Sequence, residues 1–274
     1  MRSLGVLALV AGLGVSAHAS PDERSDKSRY YYQPIPIAAG GAVYLVLELG
    51  LKDQITPMEC RWCESNALDT SIRNALVWKL VKGPDQLSNL TGYVGNPTLA
   101  IAGLFFSNLD GDDNREWYDD AIPVLQAGIA TGMVNQTFKV IFGRRRPYAA
   151  FKGTSTRAAN DVNTSFFSGH TALAFAMTTS SGTVASLRGY RSAPFIWAGG
   201  ALLASATGYL RIAADAHYFT DVLGGAIIGG AIGVAVPLLF HRDVLTDEVS
   251  PTPRTSTSPR ARDPIIFSLY GGAF

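Results

Sequence analysis

Four histidines occur in the 274 residues, and two of them stand where chemistry could be done. In Leu210-Arg211-Ile-Ala-Ala-Asp215-Ala-His217-Tyr-Phe-Thr-Asp221, His217 precedes Asp221 by four positions. At helical spacing a carboxylate there reaches one imidazole nitrogen, fixes the tautomer and leaves the other nitrogen free to attack. Arg211 brings a guanidinium fork suited to phosphate oxygens to the same helix junction. His170 closes Phe167-Ser168-Gly169-His170. Ser168 is a good helix N-cap, and Gly169 lets an anion approach free backbone N–H groups. The third cluster is Lys139-Val-Ile-Phe-Gly-Arg144-Arg145-Arg146-Pro147. Lys139 lies in apolar surroundings, where an ammonium is costly unless an anion compensates it. Pro147 stops the helix and presents Arg146 on a turn. Arg144 and Arg145 read as a basic helix end answering the macrodipole or a membrane surface.

These groups need elements to position them. Six apolar stretches, at 35–51, 98–109, 121–142, 171–187, 194–210 and 222–240, are mostly too long for strands, and period-2 alternation is missing. The expected fold is all-α: a bundle of about six main helices with the active site at converging helix ends. A shorter amphipathic helix is expected over 68–81, with Asp69 as a cap and Ile72, Leu76 and Leu80 at four-residue spacing. Gly225-x-x-x-Gly229 and Gly229-x-x-x-Gly233 predict close approach of the last helix to a neighbour. Only 222–240 is comfortably long enough to cross a bilayer.

The three clusters, in this order, resemble the type 2 phosphatidic acid phosphatase superfamily, which also holds the vanadium haloperoxidases and class A acid phosphatases. Its pattern is Lys-x6-Arg-Pro, then Pro-Ser-Gly-His, then Ser-Arg-x5-His-x3-Asp. Lys139 to Arg146-Pro147, Ser168-Gly169-His170, and Arg211 to His217 to Asp221 keep that spacing. Three positions depart: Phe167 replaces Pro, Leu210 replaces Ser, and Asp215 stands where many members have Gly. The resemblance implies that His217 attacks phosphorus, Asp221 orients it and His170 protonates the leaving group. Lys139, Arg146, Ser168, Gly169 and Arg211 then hold the phosphate, without a metal or other cofactor. Asp215 would pair with an arginine, or contact a substrate hydroxyl or ammonium and set substrate selectivity. The implied activity is metal-independent hydrolysis of a phosphate monoester or pyrophosphate through a phosphohistidine, with a lipid or isoprenoid substrate first and a small soluble organic phosphate second. Vanadate-dependent haloperoxidation is the alternative chemistry of the same cradle.

Composition sets the boundaries. The chain is 47% apolar and 16% charged, with a net charge of +1. That low charged fraction excludes a disordered chain, and the balanced charge argues against a nucleic-acid partner. Residues 1–19 carry Arg2, a short apolar run and Ala17-His18-Ala19, the pattern of a secretory signal peptide. Residues 20–94 then form an arm and first helices, 95–242 the phosphatase core, and 243–274 a disordered Pro/Ser/Thr/Arg linker with a C-terminal tail. An exported chain meets an oxidising compartment, so Cys60 and Cys63 are expected to form a local disulfide clip. The expected location is the cell envelope, either periplasmic and membrane-associated or integral to the membrane. The acidic Asp110-Gly-Asp112-Asp113-Asn114 lacks the glycine and glutamate of a calcium loop and reads as solvated.

Overall fold

The computed structural model describes residues 34–109, 117–152, 161–242 and 245. The expected signal peptide at 1–19, the expected arm that follows it and the acidic loop at 110–114 lie outside the described residues. So does the expected linker and tail at 243–274, apart from Leu245, which is buried against the core instead of belonging to a loose linker.

The described residues form a helical bundle whose β-type pairing is an isolated bridge between Trp62 and Arg144. In chain order the helices are α1 (Pro34–Leu45), continued by a π-helical turn (Val46–Gly50), and α2 (Lys52–Ile55). They continue with α3 (Ala67–Leu76), α4 (Lys82–Leu90, extended by the π-helical turn Thr91–Gly95), α5 (Asn96–Leu109) and α6 (Trp117–Phe142). The last four are α7 (Pro147–Lys152), α8 (Gly169–Leu187), α9 (Ala193–Ala213) and α10 (Phe219–Phe240). Each of the six apolar stretches is a helix. The expected helix over 68–81 stops at Leu76, because Val77 turns extended and Trp78 N–H donates to the Ala213 carbonyl. Its cap is Asn66, whose side chain accepts from Asp69 N–H; Asp69 has another task, described below.

Helix α4 was not foreseen, since Gly83, Pro84, Ser88 and Asn89 are poor helix formers. Pro84 sits in its first turn, where a missing N–H costs nothing.

The packing of α8 on α10 decides where the chemistry lies. A Cβ on Gly225, Gly229 or Gly233 would fall 2.7, 2.1 or 2.2 Å from the carbonyl oxygens of Ser168, Ala172 and Ala176. Only glycine permits this approach, as the small-residue spacing predicts. It brings the N-termini of α8 and α10 together, and Ser168 N–H donates to the Asp221 carbonyl at 3.0 Å. The other face of α10 stays apolar and open, with Leu223, Ile227, Leu239 and Phe240 exposed. Among the described residues α10 is the one helix long and apolar enough to cross a membrane, and 28% of its apolar window is buried.

Candidate active site

A cavity of about 790 Å³ opens where the ends of α4, α6, α8 and α9 meet. Lys139, Arg146, Gly169, His170, Arg211 and His217 all line it. Three clusters far apart in sequence thus share one space.

Lys139 projects from the last turns of α6, which ends at Gly143 in a left-handed conformation (φ 52°). One turn earlier, Asn135 donates to the Phe167 carbonyl at 2.7 Å, docking the start of α8 on α6. A Cβ at Gly169 would sit 2.8 Å from Asn135 Oδ1 and 3.8 Å from Lys139 Nζ, so the glycine is what leaves room. Burial first, and then the Arg146 guanidinium, bring the Lys139 pKa down to about 8.

Arg146 is held by Asp161, through Nε to the backbone carbonyl (2.8 Å) and Nη2 to Oδ1 (2.9 Å). Its Nη1 donates to the Ala216 carbonyl and toward His217 Nε2 at 3.1 Å. Arg211 donates from Nη1 to Asp85 Oδ1 (2.9 Å) and to Ser88 Oγ (3.1 Å), both on α4. Burial raises the Asp161 carboxyl, but Arg146, Lys139 and Lys52 outweigh it and hold the group well below the usual carboxylate range.

His217 is 2% exposed. Burial, then Arg146 and Arg211, hold its pKa well below the ordinary imidazole value, so the ring is neutral near pH 7. An Arg N–H facing Nε2 requires the lone pair there, which places the ring proton on Nδ1. Nδ1 lies 3.6 Å from Asp221 Oδ2, beyond hydrogen-bond length, so the four-residue spacing delivers proximity rather than the contact it predicts. Asp221 Oδ2 accepts instead from Ser165 Oγ (2.5 Å) and Tyr218 N–H (2.9 Å). His170 meets Asn89 Oδ1 through Nε2 at 2.7 Å and packs against Tyr93, ring centroids 4.2 Å apart.

Two expected site residues are turned elsewhere. Ser168 stands at the N-cap position of α8, but its buried hydroxyl pairs with Thr171 Oγ1 at 2.9 Å and does not line the cavity. Asp215 is also outside the cavity lining: its carboxylate forms a two-pronged pair with Arg73, at 2.6 and 2.8 Å. Of the expected alternatives, the structure shows the pairing with an arginine. The Asp215 φ of 58° is a left-handed conformation that glycine adopts without strain.

Cys60 and Cys63 are disulfide-bonded, in a loop fastened to the end of α6. Arg61 donates to the carbonyls of Val140 and Ile141, and Trp62 accepts from Arg145 N–H at 3.0 Å.

Sequence reading missed three groups. Tyr44, Glu48 and Lys52 bring the α1–α2 segment to the cavity wall, and Asp85, Asn89 and Tyr93 bring α4. Arg144 is not a solvated helix end; it is 1% exposed and paired to Asp69 (Nη2–Oδ2 2.6 Å) and Asp221 (Nη1–Oδ1 2.5 Å). Among the described residues no group of three His, Cys, Asp or Glu side chains could hold a metal ion.

Residues 120–244 match the PAP2 superfamily model. The chain is 28% identical over 192 residues to a PA-phosphatase related-family protein of Dictyostelium discoideum, covering 65% of this chain and 68% of that one. It is 40% identical over 148 residues to lipid A 1-phosphatase of Porphyromonas gingivalis, covering 53% of this chain but only 29% of that protein. Among solved structures, it is similar to a transmembrane PAP2 type phosphatidylglycerolphosphate phosphatase from Bacillus subtilis. That match has a TM-score of 0.48 and 19% identity, and covers 81% of this chain and 100% of the other.

Proposed function

We propose that this PAP2-class phosphatase removes phosphate from a lipid-borne monoester or pyrophosphate, through a phosphohistidine on His217. The observation that supports the reading is the composition of one cavity. Its polar end gathers both histidines with Lys139, Arg146 and Arg211, and its wall continues over Leu125, Ile129, Leu173 and Met177. A phosphate bound among the cations places an attached hydrocarbon against the apolar wall. Exposed apolar side chains on α10 support work at a membrane surface. The Cys60–Cys63 bond and the export-like first 19 residues support an envelope location.

The reaction proceeds in two displacements. His217 Nε2 forms a bond to phosphorus as the bond to the leaving oxygen breaks, and His170 gives that oxygen a proton. Arg146, which donates toward Nε2, turns its N–H groups to the equatorial oxygens together with Lys139, Arg211 and the Gly169 amide. Water then attacks phosphorus, His170 takes its proton, and the N–P bond breaks. Asp221 offsets the charge that the imidazole acquires.

The test is phosphate release, in chelator, from a lipid phosphate, an isoprenoid pyrophosphate and a soluble phosphomonoester, assayed on separated soluble and membrane fractions. His217→Ala is expected to lose more than about 99% of turnover, because a nucleophile and its partners act as a unit. Near-normal hydrolysis by that variant refutes the assignment, and exclusive use of the soluble ester refutes the lipid reading.

A further inference from the structure

We infer that Arg144 and Asp69 are positioning residues for the reaction: with Asp221 they form a buried carboxylate–guanidinium–carboxylate relay that aims Asp221 at His217 and supplies one net negative charge behind it. The inference rests on the reading of His217 as nucleophile and adds a layer that neither the motifs nor the cavity lining contains.

The three side chains are sealed from solvent, with both partners of each ion pair 0% exposed. Their hydrogen bonds form one chain. Arg144 Nη1 donates to Asp221 Oδ1 (2.5 Å) and to Thr220 Oγ1 (2.8 Å), while Nη2 donates to Asp69 Oδ2 (2.6 Å). Asp69 also accepts from Thr220, through the backbone N–H (2.9 Å) and the hydroxyl (2.7 Å). The first turn of α10, which carries Asp221, is therefore clamped to the first turn of α3. The guanidinium lies over the rings of Trp62 (3.9 Å) and Tyr218 (4.4 Å). Trp62 is itself held in the disulfide loop.

The charges give this arrangement its use. Burying a guanidinium with one carboxylate neutralises both; burial pushes the Asp221 carboxyl up, against the pull of Arg144, Ser165 Oγ and Tyr218 N–H, and with both carboxylates ionised the cluster stands at net −1. Fully buried ions are costly unless each is compensated. His217 gains a positive charge when Nε2 takes phosphorus, and its Nδ1–H faces Asp221 at 3.6 Å. The surplus charge is thus balanced in the transition state rather than in the resting enzyme, which is where a charge accelerates a reaction. A purely structural clamp could have used a neutral partner for Arg144 in place of Asp69.

Asp69→Asn keeps the shape and removes the surplus charge; Thr220→Val keeps the size and removes the hydroxyl that ties Asp69 to Arg144. In the full-length protein Asp69→Asn is expected to lower kcat roughly 10- to 100-fold at nearly unchanged KM, the scale on which losing a partner that orients a metal-binding side chain lowers activity. Thr220→Val is expected to lose severalfold. Asp69→Asn is also expected to move the acidic limb of kcat/KM to lower pH, because losing a nearby negative charge makes the His217 imidazolium harder to form. Trp78→Phe provides the structural comparison. It removes the ring N–H donated to Tyr209 Oη just beyond α3 and loosens the same segment without touching the relay. Unchanged kcat in both relay variants, or losses no larger than those of Trp78→Phe at equal melting temperature, overturn the inference. Acid-quenched labelling separates the two layers. If His217→Gln still turns over, the nucleophile reading has failed; if His217 is labelled but Asp69→Asn phosphorylates at the wild-type rate, only the relay has failed.

Discussion

Replacing Gly229 by alanine tests whether helix proximity builds the active site. The added Cβ would fall 2.1 Å from the Ala172 carbonyl oxygen, with the Ala172 carbonyl carbon and Cα each at 2.7 Å. Backbone cannot turn away as a side-chain end can, so α8 and α10 must separate by about 1.3 Å to restore ordinary contact near 3.4 Å. Overpacking of this kind costs about 1–3 kcal/mol, against which the better helix propensity of alanine returns up to about 1 kcal/mol. The two helices carry His170 and Asp221 on their first turns, so the separation falls on the catalytic geometry. A misplacement near 1 Å costs up to roughly a hundredfold in rate. Gly230→Ala is the control: its Cβ meets only Thr179 Cγ2, at 3.8 Å, and should be neutral or slightly stabilising. The assay is thermal unfolding beside phosphate release. The expected result is a melting temperature several degrees lower and kcat at least about tenfold lower for Gly229→Ala alone. Wild-type behaviour of Gly229→Ala, or equal losses in both variants, would refute the reasoning.

Two further outcomes can be measured on the purified protein. Cys60→Ser should lower stability by about 2 kcal/mol, the chain-entropy value for so short a loop, and leave kcat within about threefold below the transition; abolished chemistry in a folded variant would overturn the clip reading. His241 is buried beside Gln126 Oε1, and burial holds its pKa at about 4, against 6.5 for a free imidazole. The unfolded chain therefore binds this proton first, so folding stability is full above pH 6.5 and falls as pH drops from 6.5 to 4, by about 3 kcal/mol. Urea unfolding across that window should show the fall, and His241→Asn should flatten it.

Much of the site could be read from the chain because its spacings are local. Lys139 to Arg146 spans a helix end and a turn, and Arg211 to Asp221 spans one helix junction, so the residue types and intervals already describe short rigid pieces. The glycine repeat of α10 is equally local, and it predicted the approach to α8. Arg144 and Asp69 were misread for the opposite reason: 75 positions separate them, and neither spacing nor polarity marks a buried pair. Arg144 looks like its neighbour Arg145 until Trp62 and Tyr218 cover it. Asp69 looks like a cap because it sits in a first turn, yet Asn66 takes that role.

Sequence by itself determined the helical class, the glycine-lined contact and most of the polar groups that share the cavity, since each follows from periodicity or short intervals along one segment. Tertiary structure alone decided that α1–α2 and α4 wall the cavity, that Asp215 answers Arg73, and that Asp221 leans on Arg144. Those outcomes depend on which charges are removed from water together, and burial is a property of the assembled helices, not of any stretch of chain.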